Sequence, residues 1–511
     1  MGTYLGIEFG STRIKATAIN DAFQTVSFGD YVWRSTYENG IWTYDLNEAV
    51  RGLKTALSGL RDIQKVDAVG ISGMMHGYLA FDKDWNLLVP FRTWQNTITA
   101  EAADELTAVF GFNVPQRWSI AHLYQALLNG EEHVARVAHI TTLSGYIHHL
   151  LTGKTVVGIG EASGMFPIDS KHLCYDEGML ETFSRMAASH GFSQKIEDVL
   201  PKVLKAGDKA GVLTEEGAGV IDHMLAVGTP FAPPEGDAGT GMVATNAVAV
   251  RTGNISAGTS VFSMVVLEKP LSKVYPEIDV VTTPAGKDVA MVHCNNCTND
   301  SNAWMDVFHE VAALFGSEPD AATLYTTLYR HSLRGDADGG GVLVCNYMAG
   351  EGITHLDAGV PLVARRPDSR FTLANLLRTM LYSAVVTLKL GMEILEQEGV
   401  RVDSLVGHGG YFKTPAVGQA YMAAACNAPI TCMETAGEGG SYGMAVLAAY
   451  LLYREESLES FLNTHVFKNA QKTTGYPEKE LADGINRYTE DYKKMLTVEE
   501  KAVDVLGGTF S

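Results

Sequence analysis

The strongest constraint on this chain is a short motif that occurs twice. Residues 5–19 read Leu-Gly-Ile-Glu-Phe-Gly-Ser-Thr-Arg-Ile-Lys-Ala-Thr-Ala-Ile, and residues 253–266 read Gly-Asn-Ile-Ser-Ala-Gly-Thr-Ser-Val-Phe-Ser-Met-Val-Val. With Ile7 set on Ile255, Gly10 falls on Gly258, Ser11 on Thr259 and Thr12 on Ser260. Each segment is a strand, a glycine with two hydroxyls, and a second strand, which is a β-hairpin with a polar turn. Glycine lets the backbone come close to a phosphate, and loop amides can form an anion nest. One such turn is an ordinary hairpin. A pair, one at the start of each half, predicts two related lobes, 1–248 and 249–511, facing one another. Gly10, Ser11 and Thr12 would then grip a triphosphate from one side, and Gly258, Thr259 and Ser260 from the other.

The rest of the pattern is α/β. Strands are expected near 14–20, 25–34 and 41–45, a helix near 46–60, and a buried strand over 66–72. Residues 121–151 read as helical, with Leu123, Leu127, Val134 and Val137 on one stripe. A long apolar helix, 373–397, is stopped by Gly399. A strand over 404–406 follows, then a glycine-rich turn, a helix from about Pro415 and a final helix from near Glu438. Strands alternating with helices define the class.

Bulk properties exclude several roles. A formal net charge of −20 repels phosphate backbones and anionic lipid, so no nucleic-acid or membrane partner is expected. The first residues carry no basic stretch of the secretory kind, and the apolar run 445–453 falls far short of a bilayer span. Six cysteines in 511 residues are no disulfide framework and suit a reducing cytoplasm. Cys294-Asn-Asn-Cys297 has ligand spacing, but no second pair accompanies it, so these are read as free thiols near a strand end.

Several residues suit phosphoryl transfer. Glu8 lies two positions before Gly10, on the same side of its strand, where it can hold Mg²⁺ through water or pair with Arg13 or Lys15. Asp237, among small residues at 236–241, has room to orient an acceptor hydroxyl and take its proton. Met75-His76-Gly77 follows the buried strand, and Trp94-Gln95-Asn96 offers a stacking face with amides, equipment for a polyol pocket. Gly407-His408-Gly409-Gly410-Tyr411 lies between a strand and a helix, where open α/β sheets bind ligands. No GxxxxGK[ST] loop occurs.

In order and spacing, these segments resemble the FGGY family of carbohydrate kinases, nearly end to end, and look most like its xylulokinase-like members. Residues 6–16 and 255–260 resemble the two phosphate motifs, Gly236-Asp237 the catalytic Gly-Asp, and 406–419 with 438–449 the adenosine motif and closing helix. The resemblance implies two RNase H-like, actin-like ATPase lobes with a cleft between them. It also implies ATP, Mg²⁺ and a free sugar as reactants, and leaves a homodimer open. Asp237 would be the base and, with Glu8, would face the metal. Met75, His76, Trp94, Gln95, Asn96 and Asp237 would meet the sugar, and Gly409, Gly410 and Gln419 the nucleoside. A ketopentose such as D-xylulose or L-ribulose is the expected acceptor. Another ketose, a polyol, or a non-catalytic ATP-dependent binding or sensor role on the same fold are the alternatives. The chain departs from the family at Glu8 and Glu161, each in place of Asp, at Gly352, where an Arg is usual, and at Tyr411, where a Gly is usual.

Overall fold

The computed structural model describes residues 2–61, 63, 65–433 and 439–506. Two compact units emerge, one from 1–250, 269–290 and 438–469, the other from 251–268, 291–437 and 470–511. No helix among the described residues is long and apolar enough to cross a membrane.

In the first unit, Thr3–Phe9 pairs antiparallel with Arg13–Asn20, which puts Glu8 opposite Lys15. The same strand pairs in parallel with Ala68–Gly73, with Glu8 beside Ser72. Glu235–Gly236 extends the sheet beyond Ala68–Gly73, and Thr25–Val32 forms the other edge. Leu5, Ile7, Phe9, Ile14 and Ile71 are buried in one core with Leu53, Ala56 and Leu57 of the helix Leu46–Ser58. That helix starts where the Asp45 carboxylate accepts a hydrogen bond from Asn47 N at 2.8 Å, an N-cap that satisfies an orphan amide. The helix Gly439–Tyr450 packs on the sheet through bare backbone. A Cβ on Gly6 would stand far inside van der Waals contact of the Ser441 carbonyl oxygen, and one on Gly443 would do the same to the Thr240 carbonyl oxygen.

The second unit repeats the arrangement. Its strands stand in the order Asp288–Cys294, Val261–Val266, Thr252–Ala257, Ser404–His408, Ile430–Met433, Lys472–Gly475. Thr252–Ala257 pairs antiparallel with Val261–Val266 and in parallel with Ser404–His408. Each unit thus opens on an antiparallel hairpin continued by parallel strands, the RNase H-like pattern expected for this α/β chain. The helix Leu373–Gln397, capped by Thr372, is buried around most of its circumference, as an apolar helix must be.

Two expectations need correction, and one division of the chain is refined. The stretch read as one helical region, 121–151, is Ser119–Leu128 and Leu143–Thr152 with the strand His139–Thr141 between them. Its three residues pair with Leu79–Phe81, a tertiary contact that no local period reports. The compact units differ from the sequence halves 1–248 and 249–511 in that 269–290 and 438–469 pack with the first. Thr282 Oγ1 donates to the Ile159 carbonyl at 3.0 Å, and Thr17 Oγ1 to Ser441 Oγ at 2.8 Å. The helix start placed at Glu438 lies outside the described residues, and that helix is not the last: Lys479–Leu506 follows it.

Replacing Gly6 by Val should cost ~1–3 kcal/mol or more, because backbone rather than a flexible side chain would have to yield. Urea unfolding of Gly6→Val measures this, and an unchanged midpoint would contradict the close approach.

Candidate active site

Three adjacent parallel strands of the first unit end together, and the acidic residues and His76 stand at those ends. Asp237 opens the helix Asp237–Ala244, directly after the strand Glu235–Gly236. Its Oδ1 accepts from Ala238 N at 3.0 Å and from Met75 N at 3.1 Å. Beneath it, Thr240 Oγ1 lies 3.2 Å from the Gly236 carbonyl and 3.1 Å from Ser72 Oγ, tying helix to strand. Burial first, and the Glu8 charge second, push the Asp237 pKa up to about 6. A carboxylate tuned in that direction is a better base near neutrality.

Glu8 is 8% exposed, and its Oε2 accepts from Lys15 Nζ at 3.2 Å and from Ser441 N at 3.2 Å. The pairing with Lys15 that the sequence allowed is present. Among the described residues, no three His, Cys, Asp or Glu side chains gather as a metal cage. Two electrostatically coupled carboxylates fit a cation that keeps its waters and takes only one or two carboxylates, which is the habit of Mg²⁺.

His76 holds a left-handed backbone, φ 72°, followed by Gly77 at φ 88°. Such a conformation in a non-glycine residue costs energy and persists where surroundings enforce it. Its Nδ1 lies 3.1 Å from the Gly164 carbonyl, and its ring stacks on Trp118 with centroids 6.5 Å apart. Trp94 is 39% exposed, and the Gln95 amide oxygen is buried with no hydrogen-bond partner among the described residues. Asn96 differs. Its Oδ1 accepts from Trp42 N and its Nδ2 donates to Trp42 O, each at 2.8 Å, so this side chain is spent on holding the 41–43 strand.

The two hairpin turns share one construction. In the first, Trp33 Nε1 donates to the Gly10 carbonyl at 2.7 Å, and Tyr44 OH donates to the Ser11 carbonyl at 2.8 Å. In the second, Thr298 Oγ1 donates to the Gly258 carbonyl at 2.7 Å, and Cys297 N to the Thr259 carbonyl at 3.0 Å. In a trans peptide the N–H points opposite to the C=O. Tying these carbonyls down therefore turns the amides of Ser11 and Thr12, and of Thr259 and Ser260, away from the tie, as an anion nest requires. Gly409, at φ 102°, passes so close to the Ala257 carbonyl that a Cβ would collide with it, and Gly410 is exposed. Gln419 is 8% exposed and ties strands together, with Nε2 donating to the carbonyls of Ile430 at 3.2 Å and Thr473 at 3.0 Å.

Sequence reasoning missed Trp118, Ser441 and Thr298, because each reaches its partner from a distant segment. It also missed Glu235, whose Oε2 accepts from Glu161 N at 3.0 Å. Burial pushes Glu235 up to about 8 and Glu161 well above the usual carboxylate range, so both favour the neutral acid. The small residues Gly158 and Gly160, which make room for Glu235, were the available signal.

Fold and site define a carbohydrate kinase. Residues 3–243 match the N-terminal domain, and residues 253–452 the C-terminal domain, of the FGGY family of carbohydrate kinases, to which this chain belongs. Such an enzyme uses ATP and a sugar. Xylulose kinase of Haemophilus influenzae is 25% identical over 521 residues, covering 97% of this chain and 99% of the relative. Xylulose kinase of Staphylococcus xylosus is 19% identical, covering 88% of this chain and 91% of that protein. Among solved structures, ligand-bound xylulose kinase of Lactobacillus acidophilus superposes with a TM-score of 0.80 at 16% identity, all of each chain covered. Gluconate kinase of the same organism gives 0.79, also at 16% and over all of each chain.

A carboxylate accepts a proton only when ionised, so if Asp237 serves as the base, a pKa raised to about 6 moves the loss of activity up from the usual carboxylate range. We expect kcat/KM to be flat above that value and to fall about tenfold per pH unit below it. A profile still flat a full unit lower would remove Asp237 from this role.

Proposed function

We propose that this kinase transfers the γ-phosphoryl group of ATP to a terminal hydroxyl of a free ketopentose, D-xylulose or L-ribulose, with Asp237 as general base. The observation that carries it is the hydrogen bond from Met75 N to Asp237 Oδ1, which locks the base to the Met75-His76 segment. The acceptor hydroxyl gives its proton to the Asp237 carboxylate as its oxygen bonds to the γ-phosphorus, and the bond to ADP breaks. The outward amides at Ser11, Thr12, Thr259 and Ser260 bind phosphate oxygens, with Gly10, Gly258, Gly409 and Gly410 leaving the backbone bare for nucleotide. Mg²⁺, arriving with ATP, would neutralise phosphate charge near Glu8 and Asp237, and Lys15 would yield its hold on Glu8. His76, fixed by Gly164 and Trp118, together with Trp94 and Gln95, recognises the sugar. Asn96 shapes that pocket from behind, and Gln419 does the same for the nucleoside segment.

Relatives named xylulose kinase support the ketopentose. A glycerol kinase of Thermococcus gammatolerans, 24% identical over 230 residues, and the gluconate kinase fold show why polyols and sugar acids belong in the assay. Free thiols throughout the described residues favour the cytoplasm as its place of work.

Coupled ADP release over D-xylulose, L-ribulose, ketohexoses, glycerol and gluconate tests the assignment, and turnover with glycerol or gluconate alone would overturn the ketopentose. Asp237→Asn should bind ATP and sugar nearly as before and lose about 10²-fold or more in kcat, the scale of general-base catalysis. His76→Ala should raise the sugar KM well above any change in the ATP KM. Equal effects on both would take His76 out of the sugar pocket.

A further inference from the structure

Two sequence features have no part in the chemistry above: Cys294-Asn-Asn-Cys297, and Gly350-Glu351 in place of a motif that usually continues with Arg. In the second unit they meet. The strand Asp288–Cys294 leads into Asn296, Cys297 and Thr298, and the last two hold the carbonyls of Thr259 and Gly258. Asn296 is 2% exposed and every polar atom of its side chain is used. Oδ1 accepts from Met348 N at 2.8 Å and Ala349 N at 3.1 Å, while Nδ2 donates to the Ala349 carbonyl at 3.1 Å and to Glu351 Oε2 at 3.2 Å. Glu351, 1% exposed, also accepts from Asn296 N at 3.3 Å. Asn346 Nδ2 donates to the Cys297 carbonyl at 2.7 Å, and Asn295 Nδ2 to the Gly350 carbonyl at 2.7 Å. The 346–351 segment and the 295–298 segment are thus stitched together, and the turn Gly258-Thr259-Ser260 hangs from the second of them.

We propose that Glu351 and Asn296 are positioning residues for the nucleotide: they set the place of the Gly258–Ser260 turn, through Cys297 and Thr298, and so tune ATP affinity without touching ATP. This rests on the reading that the turn binds phosphates. The physical case begins with cost. A buried carboxyl is expensive unless its hydrogen bonds are used, and Glu351, with no cation paired to it among the described residues, relies on Asn296 and on the backbone amides beside it. Its titratable neighbours, Cys294 and Tyr347, are held neutral by burial. Burial pushes Glu351 itself up to about 7, so a neutral side chain of the same shape suits the site. What remains specific is the pair of bonds to Asn296, one residue before the segment that ties down the turn. A displaced 296–298 segment would release the carbonyls of Gly258 and Thr259 and let the outward amides rotate.

Steady-state kinetics with ATP and D-xylulose test this, with melting temperature as the check on folding. Glu351→Ala should raise the ATP KM about tenfold, the scale of leaving the buried Asn296 amide without its partner, with the sugar KM and kcat little changed. Glu351→Gln should stay near the parent. Asn296→Asp removes the amide donor to Glu351 and to the Ala349 carbonyl and should raise the ATP KM as well, and adding Glu351→Gln to it should recover part of the loss, since an amide can donate to the new carboxylate. This cycle decides the matter even if Glu351→Ala does not fold. Gly258→Val, whose Cβ would meet no protein atom within 4 Å, calibrates the turn itself. An unchanged ATP KM in Gly258→Val would overturn the phosphate reading and the proposal with it. A raised ATP KM there, alongside unchanged values in the Glu351 and Asn296 variants, would overturn the positioning role alone. Parallel rises in both KM values would mean a general structural role and would also sink it.

Discussion

The first unit depends on one close approach. The helix Gly439–Tyr450 lies against the strand Thr3–Phe9 and the helix Asp237–Ala244 with backbone on backbone, at Gly6 and Gly443, where any side chain would collide. Interiors packed to crystal-like density transmit such a constraint rigidly. Three consequences follow from this single contact. Ser441 N is brought to Glu8 Oε2, Thr17 is bonded to Ser441, and the helix that opens on Asp237 is held against Gly439–Tyr450. The acidic residues of the site are therefore placed by chain far from them in sequence.

That placement has an electrostatic cost. Asp237, Glu235 and Glu161 are all pushed toward the neutral acid by burial, in a protein already carrying a net charge of −20. The fold moderates the cost at Asp237 with two backbone amides, from Met75 and Ala238, and its pKa, about 6, stays below the value of about 8 for Glu235. Perturbed carboxyls gathered at strand ends are a common sign of acid–base work. The buried pair behind Asp237 stays neutral and so adds little charge to the site.

Both hairpins solve the same problem by different means. The first ties its carbonyls with ring donors from Trp33 and Tyr44, the second with the backbone and hydroxyl of Cys297 and Thr298. The outcome is alike, a turn whose amides point away from the anchor, reached with different side chains. The fold as a whole is likewise shared, at 16% identity, with a xylulose kinase and a gluconate kinase of Lactobacillus acidophilus.

Local pattern carried a large share of the structure. The glycine–hydroxyl turns, the cap at Asp45, the apolar run of Leu373–Gln397 and the stop at Gly399 act within a few residues, so the sequence by itself determined both hairpins, the α/β class and the candidates Glu8, His76 and Asp237. It misread 121–151 because a three-residue strand there exists only through its pairing with Leu79–Phe81. Tertiary structure alone decided that 269–290 and 438–469 return to the first unit, that Lys15 holds Glu8, and that the amides of Asn96 and Gln419 are spent inside the protein. It alone joined Glu351 to the segment beneath the second turn. The reason is physical: a hydrogen bond between residues 55 or 433 positions apart leaves no period in the chain, and burial, which sets each carboxyl's charge, belongs to no residue until the fold has closed around it.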